Sequence, residues 1–425
     1  MILRDYWGEI KRGIGLVIMG GLLGWVLLVV AYLLPIDPIE RHVKEALETL
    51  SEMGPAPRLI QDNPTTRLDM YTDSIMLNEA VYKGTESIWE RAVAGYEYIY
   101  EGETPFQSLL AYLSGEAGAE GMEYARYWHG YLIFLKPLLI FFSYGDIKGI
   151  NLLIQIFLLG TVIMEMAKRG MRMYIYAFLL GVYSLMPLAI TMCIDYSVIF
   201  NIMLVSCVIL LKYYEKLVDK KYVNLFYVVV GMSVCYFDFL TYPLVVLGFV
   251  LLMHIILECD NKKMTGLKIV RNIAERTLFW GGGYVGIWGI KWVLASIFMR
   301  KNIIKEAILQ VLYRSSTEVS DSGITEETSR IQALGINLKT IIVSPLVIAL
   351  AVFLCLILVK CLKKKRLSFD SARTWGMVIV AIMPFVWVMF KANHAYVHYW
   401  MVYREFSTTV FAMASVMLSL IGTDG

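Results

Sequence analysis

Residues 13–34 read GIGLVIMGGLLGWVLLVVAYLL, 22 positions without a charge, and Arg4, Lys11 and Arg12 precede them. A helix of about 20 apolar residues crosses the ~30 Å hydrocarbon core of a bilayer. A secretory signal has a shorter apolar core and a small-residue cleavage site, and neither is evident here. The stretch therefore reads as an uncleaved anchor with the N-terminus in the cytoplasm. Composition agrees: of 425 residues 58% are hydrophobic and only 18% charged, which excludes an ordinary soluble domain. Mean hydropathy is +0.60. The 27 tyrosines and 10 tryptophans suit side chains that straddle a membrane interface.

Working outward, residues 35–148 are polar, with amphipathic helical patterns at 39–50 and 87–100. Residues 131–145 are apolar but short and broken by Lys136 and Pro137, as in an interfacial or re-entrant segment. Further spans are expected near 149–167, 173–192, 195–211, 222–237, 239–257, 278–298, 340–359, 374–390 and 405–422. With the first, that makes about ten. This topology places 21 of the 39 lysines and arginines in five short cytoplasmic pieces, and none around Asp195 or Asp238. The expectation is an all-α integral membrane protein of the bacterial cytoplasmic membrane, multi-pass, with both termini cytoplasmic. Its parts are an anchor (1–34), a large helical extracytoplasmic loop (35–148), six spans (149–298), a second outer loop (299–339) and three more spans (340–425). The glycines at 281–283, with Gly286 and Gly289, read as close helix packing. The six cysteines lie in or beside apolar spans and form no CxxC or Cys/His cluster, so no disulfide framework or thiolate zinc site is expected.

Polar residues within or beside apolar spans are costly, so their distribution is informative. Facing outward on this topology are Asp37, Asp69, Asp73, Arg126, His129, Asp195, Asp238, Asn393, His394, His398 and Arg404; a site at the outer face is favoured. Residues 67–84, RLDMYTDSIMLNEAVYKG, place Asp69 and Asp73 four apart where a helix begins, with Thr72 able to cap it and Gly84 able to end it. In the first turn the dipole keeps Asp73 ionised, as a general base requires; the ordinary alternative is a capping role. Asp37 competes from the membrane edge, although Asp37-Pro38 also looks like an N-cap with proline at N1.

Arg126-Tyr127-Trp128-His129 returns the loop to the membrane and has the chemistry to hold a lipid phosphate; an aromatic belt with a snorkelling arginine is the alternative. Asn393-His394 and His398, four apart, precede Arg404. Without an HExxH pattern or a third ligand, phosphate binding or proton transfer is favoured over metal. Asp238, in FDFLTYP, and Arg314, after an amphipathic stretch at 303–313, are supporting candidates.

The layout of one anchor, a large acidic outer loop and many spans with short loops resembles bacterial membrane glycosyltransferases of the GT-C fold over nearly the whole chain. Locally, TDSIMLNEA looks like the start of that family's first juxtamembrane helix, and YARYWHGYLIFLKPLL, FDFLTYP and NHAYVHYWMVYR look like motifs of its uncharacterised members. The resemblance implies a polyprenyl-phosphate sugar donor, a glycan or cell-envelope acceptor and transfer at the outer membrane face among membrane lipids. No nucleic acid partner and no required cofactor are implied, and a divalent cation is not called for. It matches Asp73 or Asp69 to the catalytic carboxylate, and Arg126, His129, His394, His398 and Arg404 to the donor phosphate. Asp73 lies farther beyond the first span than the family's acidic residue does, so which aspartate is the base stays open. The alternatives are a polysaccharide polymerase or other lipid-dependent transferase, then a transporter or flippase of a lipid-linked glycan.

Overall fold

The computed structural model describes residues 2–261, 264–321, 324–343, 349–350, 352–356, 359 and 370–421. The protein is mostly helical, 78%. Among the described residues, five helices are long and apolar enough to cross a membrane: Trp7–Tyr32, Tyr144–Lys168, Ile194–Asp219, Gly266–Met299 and Ser371–Phe390. The expected span at 340–359, the piece at 360–373 and Cys361 lie partly or wholly outside the described residues.

Helix Leu244–Asn261 forms the centre and is buried on every side as far as Leu257, with Val245, Phe249, Val250 and Met253 fully buried. Ile194–Asp219, Ser371–Phe390 and Ser407–Ile421 pack around it. Peripheral helix Tyr144–Lys168 instead exposes Leu153 and Phe157, the polarity expected of a face turned to hydrocarbon.

The glycines are used selectively. A Cβ on Gly231 would lie 2.0 Å from the Trp280 carbonyl oxygen, and one on Gly283 would lie 2.2 Å from that of Val228. These two bring helices Val223–Phe237 and Gly266–Met299 into backbone contact, whereas Gly281, Gly282 and Gly289 face open space. We expect Gly231→Ala to force the two helices apart and cost about 1–3 kcal/mol. Gly282→Ala, which meets nothing, serves as the neutral control in a detergent thermal-unfolding comparison.

The departures from the sequence expectation are local. Residues 173–192 form two helices, Arg172–Ser184 and Pro187–Met192, because Pro187 cannot donate to the ladder and Met186 turns to φ +60°. The amphipathic stretch at 87–100 is helical only over Ile88–Ala94; Gly95 ends it at φ +62°, and Tyr96–Ile99 continues as a strand. That strand pairs antiparallel with Glu120–Glu123, and a second ribbon joins Glu318–Asp321 to Ile324–Glu327. Helix Leu132–Phe141, only 10 residues with Pro137 inside, is too short to cross a bilayer alone.

Candidate functional site

A polar cavity of about 670 Å³ opens between residues of 67–75, 122–127 and 394–401. Helix Met70–Val81 supplies one wall. Asp69 is its N-cap, with Oδ1 accepting the Thr72 N–H at 2.9 Å; the Thr72 side chain does not cap. The helix ends at Val81, before Gly84, as Tyr82 turns into extended backbone. Asp69 lines the cavity together with Arg67, Tyr71 and Thr72. Burial pushes its carboxyl up from the usual range, while the Thr72 hydrogen bonds and Arg67 pull it down.

Asp73 does not line this cavity. One helical turn on, it points into the protein and is fully buried. Its Oδ2 accepts the Tyr144 hydroxyl (2.5 Å) and the Ile194 N–H (2.9 Å), and its Oδ1 accepts the Asp195 N–H (3.0 Å). Helix Ile194–Asp219 lacks a side-chain cap of its own from Cys193. Asp73 is therefore that helix's N-terminal anion, supplied from a helix more than a hundred residues earlier.

Much of the remaining polar lining is basic. Arg67 lies flat on Trp400, its guanidinium carbon 3.6 Å from the ring centroid. Arg314, at the end of helix Ile303–Ser315, donates to His398 Nε2 at 3.3 Å. Arg126 faces the same space and pairs with Glu306 at 2.8 Å. His394 and His398 line the cavity but carry no charge there. Burial and neighbouring arginine hold His398 down at about 3, and burial, then His398 and Arg314, push His394 well below its usual value. His394 Nε2 donates to the Leu240 carbonyl at 2.9 Å. Both histidines thus position neighbours as neutral hydrogen-bonding groups.

The other sequence candidates sit elsewhere. Arg404 is fully buried among Tyr196, Tyr242 and Tyr403, and donates to the Leu185 and Trp400 carbonyls at 3.0 and 2.8 Å. Leu185 lies in the break before Pro187, so Arg404 satisfies an acceptor that the break leaves open. His129, at φ +53°, binds the Tyr124 carbonyl at 2.7 Å and buried Glu79 at 2.8 Å, behind the cavity wall. Tyr131 also donates to Glu79. Asp238 accepts from the N–H and hydroxyl of Thr241 at 3.0 and 2.6 Å, closing a buried turn; burial raises its carboxyl to about 7. Asn393 fastens the second ribbon through the Ser316 and Glu318 carbonyls. The Asp37 side chain is 95% exposed and pairs with Lys83 at 3.4 Å, one residue inside a helix that begins at Ile36.

The sequence reading does not single out Arg67, Tyr71, Glu97 or Trp400 as site residues, yet all four line the cavity. Arg67 stands two residues before Asp69, and that proximity is a usable signal. Glu97 carries none until its strand is known. Among the described residues no group of three or more His, Cys, Asp or Glu side chains is arranged to hold a metal ion. No family model, curated protein or solved structure matches the chain.

Proposed function

We propose that this chain is a membrane glycosyltransferase that moves a sugar from a polyprenyl-phosphate donor to an acceptor hydroxyl, at the outer face of a bacterial cytoplasmic membrane. The reading includes a GT-C-like arrangement of about ten spans. The observation that carries it is a single cavity lined both by Asp69 and by Arg67, Arg126 and Arg314, with neutral His398.

The chemistry follows from that combination of a carboxylate and arginines. Asp69 takes the proton of the acceptor hydroxyl as its oxygen attacks the anomeric carbon. The bond from that carbon to the phosphate oxygen breaks, and the lipid phosphate leaves with the electron pair. Guanidinium groups stabilise the charge it gathers, and their planar donors suit phosphate oxygens. An apolar groove of about 740 Å³, lined by Ile150, Ile154, Val198, Val229 and Phe237, offers hydrocarbon surface for the lipid tail. It reaches Ile194, the residue whose N–H Asp73 holds.

Arg314 gives the test. Its guanidinium hydrogen-bonds to a neutral histidine, and we expect Arg314→Ala to raise the donor KM about 10–100-fold, the loss of a hydrogen bond to a charged group. Arg314→Lys should restore little, because a point charge cannot reproduce two parallel donors. The measurement is transfer of radiolabelled sugar from a polyprenyl-phosphate donor in membranes containing the full chain. An unchanged donor KM in both variants would remove the anion-binding role.

A further inference from the structure

Strand Tyr96–Ile99 alternates its side chains across the ribbon. Tyr96 and Tyr98 both pack on Tyr82, with ring centroids 5.4 and 4.8 Å away. Glu97, between them, takes the other face and lines the polar cavity. It is 2% exposed, and its Oε2 is buried without a hydrogen-bond partner. Among the described residues no cation acts on it appreciably. From helix Met70–Val81 it faces Glu79, whose charge adds to the burial, and Tyr71; Tyr124 follows the partner strand. Glu123 on that strand is engaged by Lys301 at 2.6 Å, and helix Pro105–Ser114 brings Tyr112 onto Tyr98. Arg67, Arg126 and Arg314 gather toward Trp400, Tyr124 and His398.

A glutamate kept buried, unpaired and turned into a cavity contributes nothing to packing that leucine would not do better. We propose that Glu97, with Tyr71 and Tyr124, forms a subsite for a hydroxyl pair of a polyhydroxylated, uncharged ligand. The neutral carboxyl offers one O–H donor and acceptor oxygens, which complements a hydroxyl that both donates and accepts. The Glu97 carboxyl, pushed up to about 8 by burial and Glu79, holds its proton at neutral pH. Tyr71 lies within electrostatic reach of both Glu97 and Asp69, so a hydroxyl ring held here also approaches the carboxylate assigned as base. This inference rests on the sugar-transfer reading and names the part of the site that would hold the acceptor.

The test uses the unmodified full chain in nanodiscs, treated with dicyclohexylcarbodiimide. A protonated carboxyl adds across the reagent's C=N bond, and the O-acylisourea rearranges to a stable N-acylurea that mass spectrometry locates on Glu97. We expect labelling that falls as pH rises through about 8. Methyl hexopyranosides at ten times their Kd should slow it about tenfold, because only the free site reacts. The proposal is overturned if Glu97 does not label, if no glycoside slows labelling, or if only amine-bearing glycosides do. Polyprenyl phosphate is titrated in parallel. Should it fail to bind while glycosides still protect Glu97, the donor assignment fails and the hydroxyl subsite stands.

Discussion

Asp69→Asn is expected to fold as the parent does and to lose about 10²–10⁴-fold in transfer rate, the usual contribution of a positioned general base. The two halves of that expectation separate structure from chemistry. Asp69 caps helix Met70–Val81 through Oδ1, and asparagine caps a helix about as well as aspartate. The amide cannot accept the acceptor's proton, so only catalysis suffers. In the parent, burial makes Asp69 a stronger base than an exposed aspartate, so activity should rise with pH on the acid limb, with its midpoint above the ordinary aspartate range. Folded Asp69→Asn protein with undiminished turnover would dismiss Asp69 as the base.

The second large effect falls on stability. Removing the Asp73 carboxylate leaves the Ile194 and Asp195 N–H groups and the Tyr144 hydroxyl without their acceptor in a buried place. Loss of a buried charge from such a network costs about 3–5 kcal/mol, a large share of the ~5–15 kcal/mol that folded proteins possess. Asp73→Ala should therefore lower the yield of monodisperse protein and its midpoint of thermal unfolding in detergent. Tyr144→Phe removes one of the three donors and should lose about a third as much. Activity per folded molecule separates the roles of the two aspartates. If Asp73→Ala folds normally and fails only in turnover, the capping role is wrong and Asp73 returns as a base.

Much of the layout was legible because it depends on local chemistry. Long uncharged runs separate from polar stretches whatever their neighbours do, and helices Trp7–Tyr32 and Tyr144–Lys168 stand where such runs lie. Some breaks were also local: Pro187 divides one apolar run, and Gly95 switches a helical pattern to a strand. In both places the periodic pattern runs on through the break, so the break lies in a single residue rather than in the pattern. Arg126, Arg314, His394 and His398 were found from their residue types beside apolar spans, and all four line one cavity.

What local pattern could not contain was direction. Asp69 and Asp73 stand four apart, and spacing favours the one inside the helix; the fold sends Asp73 to a helix start at Ile194 and leaves Asp69 facing the cavity. Arg404 and His129 have the composition of site residues, yet one meets the carbonyl freed before Pro187 and the other the buried carboxylate of Glu79. Glu97 was invisible for the opposite reason, since only strand alternation turns it inward. The sequence by itself determined the segregation of apolar helices from polar segments, because burial and hydrogen-bond satisfaction act along the chain. Only the tertiary structure decided which carboxylate meets the arginines, because the donors that claimed Asp73 belong to a helix far along the sequence.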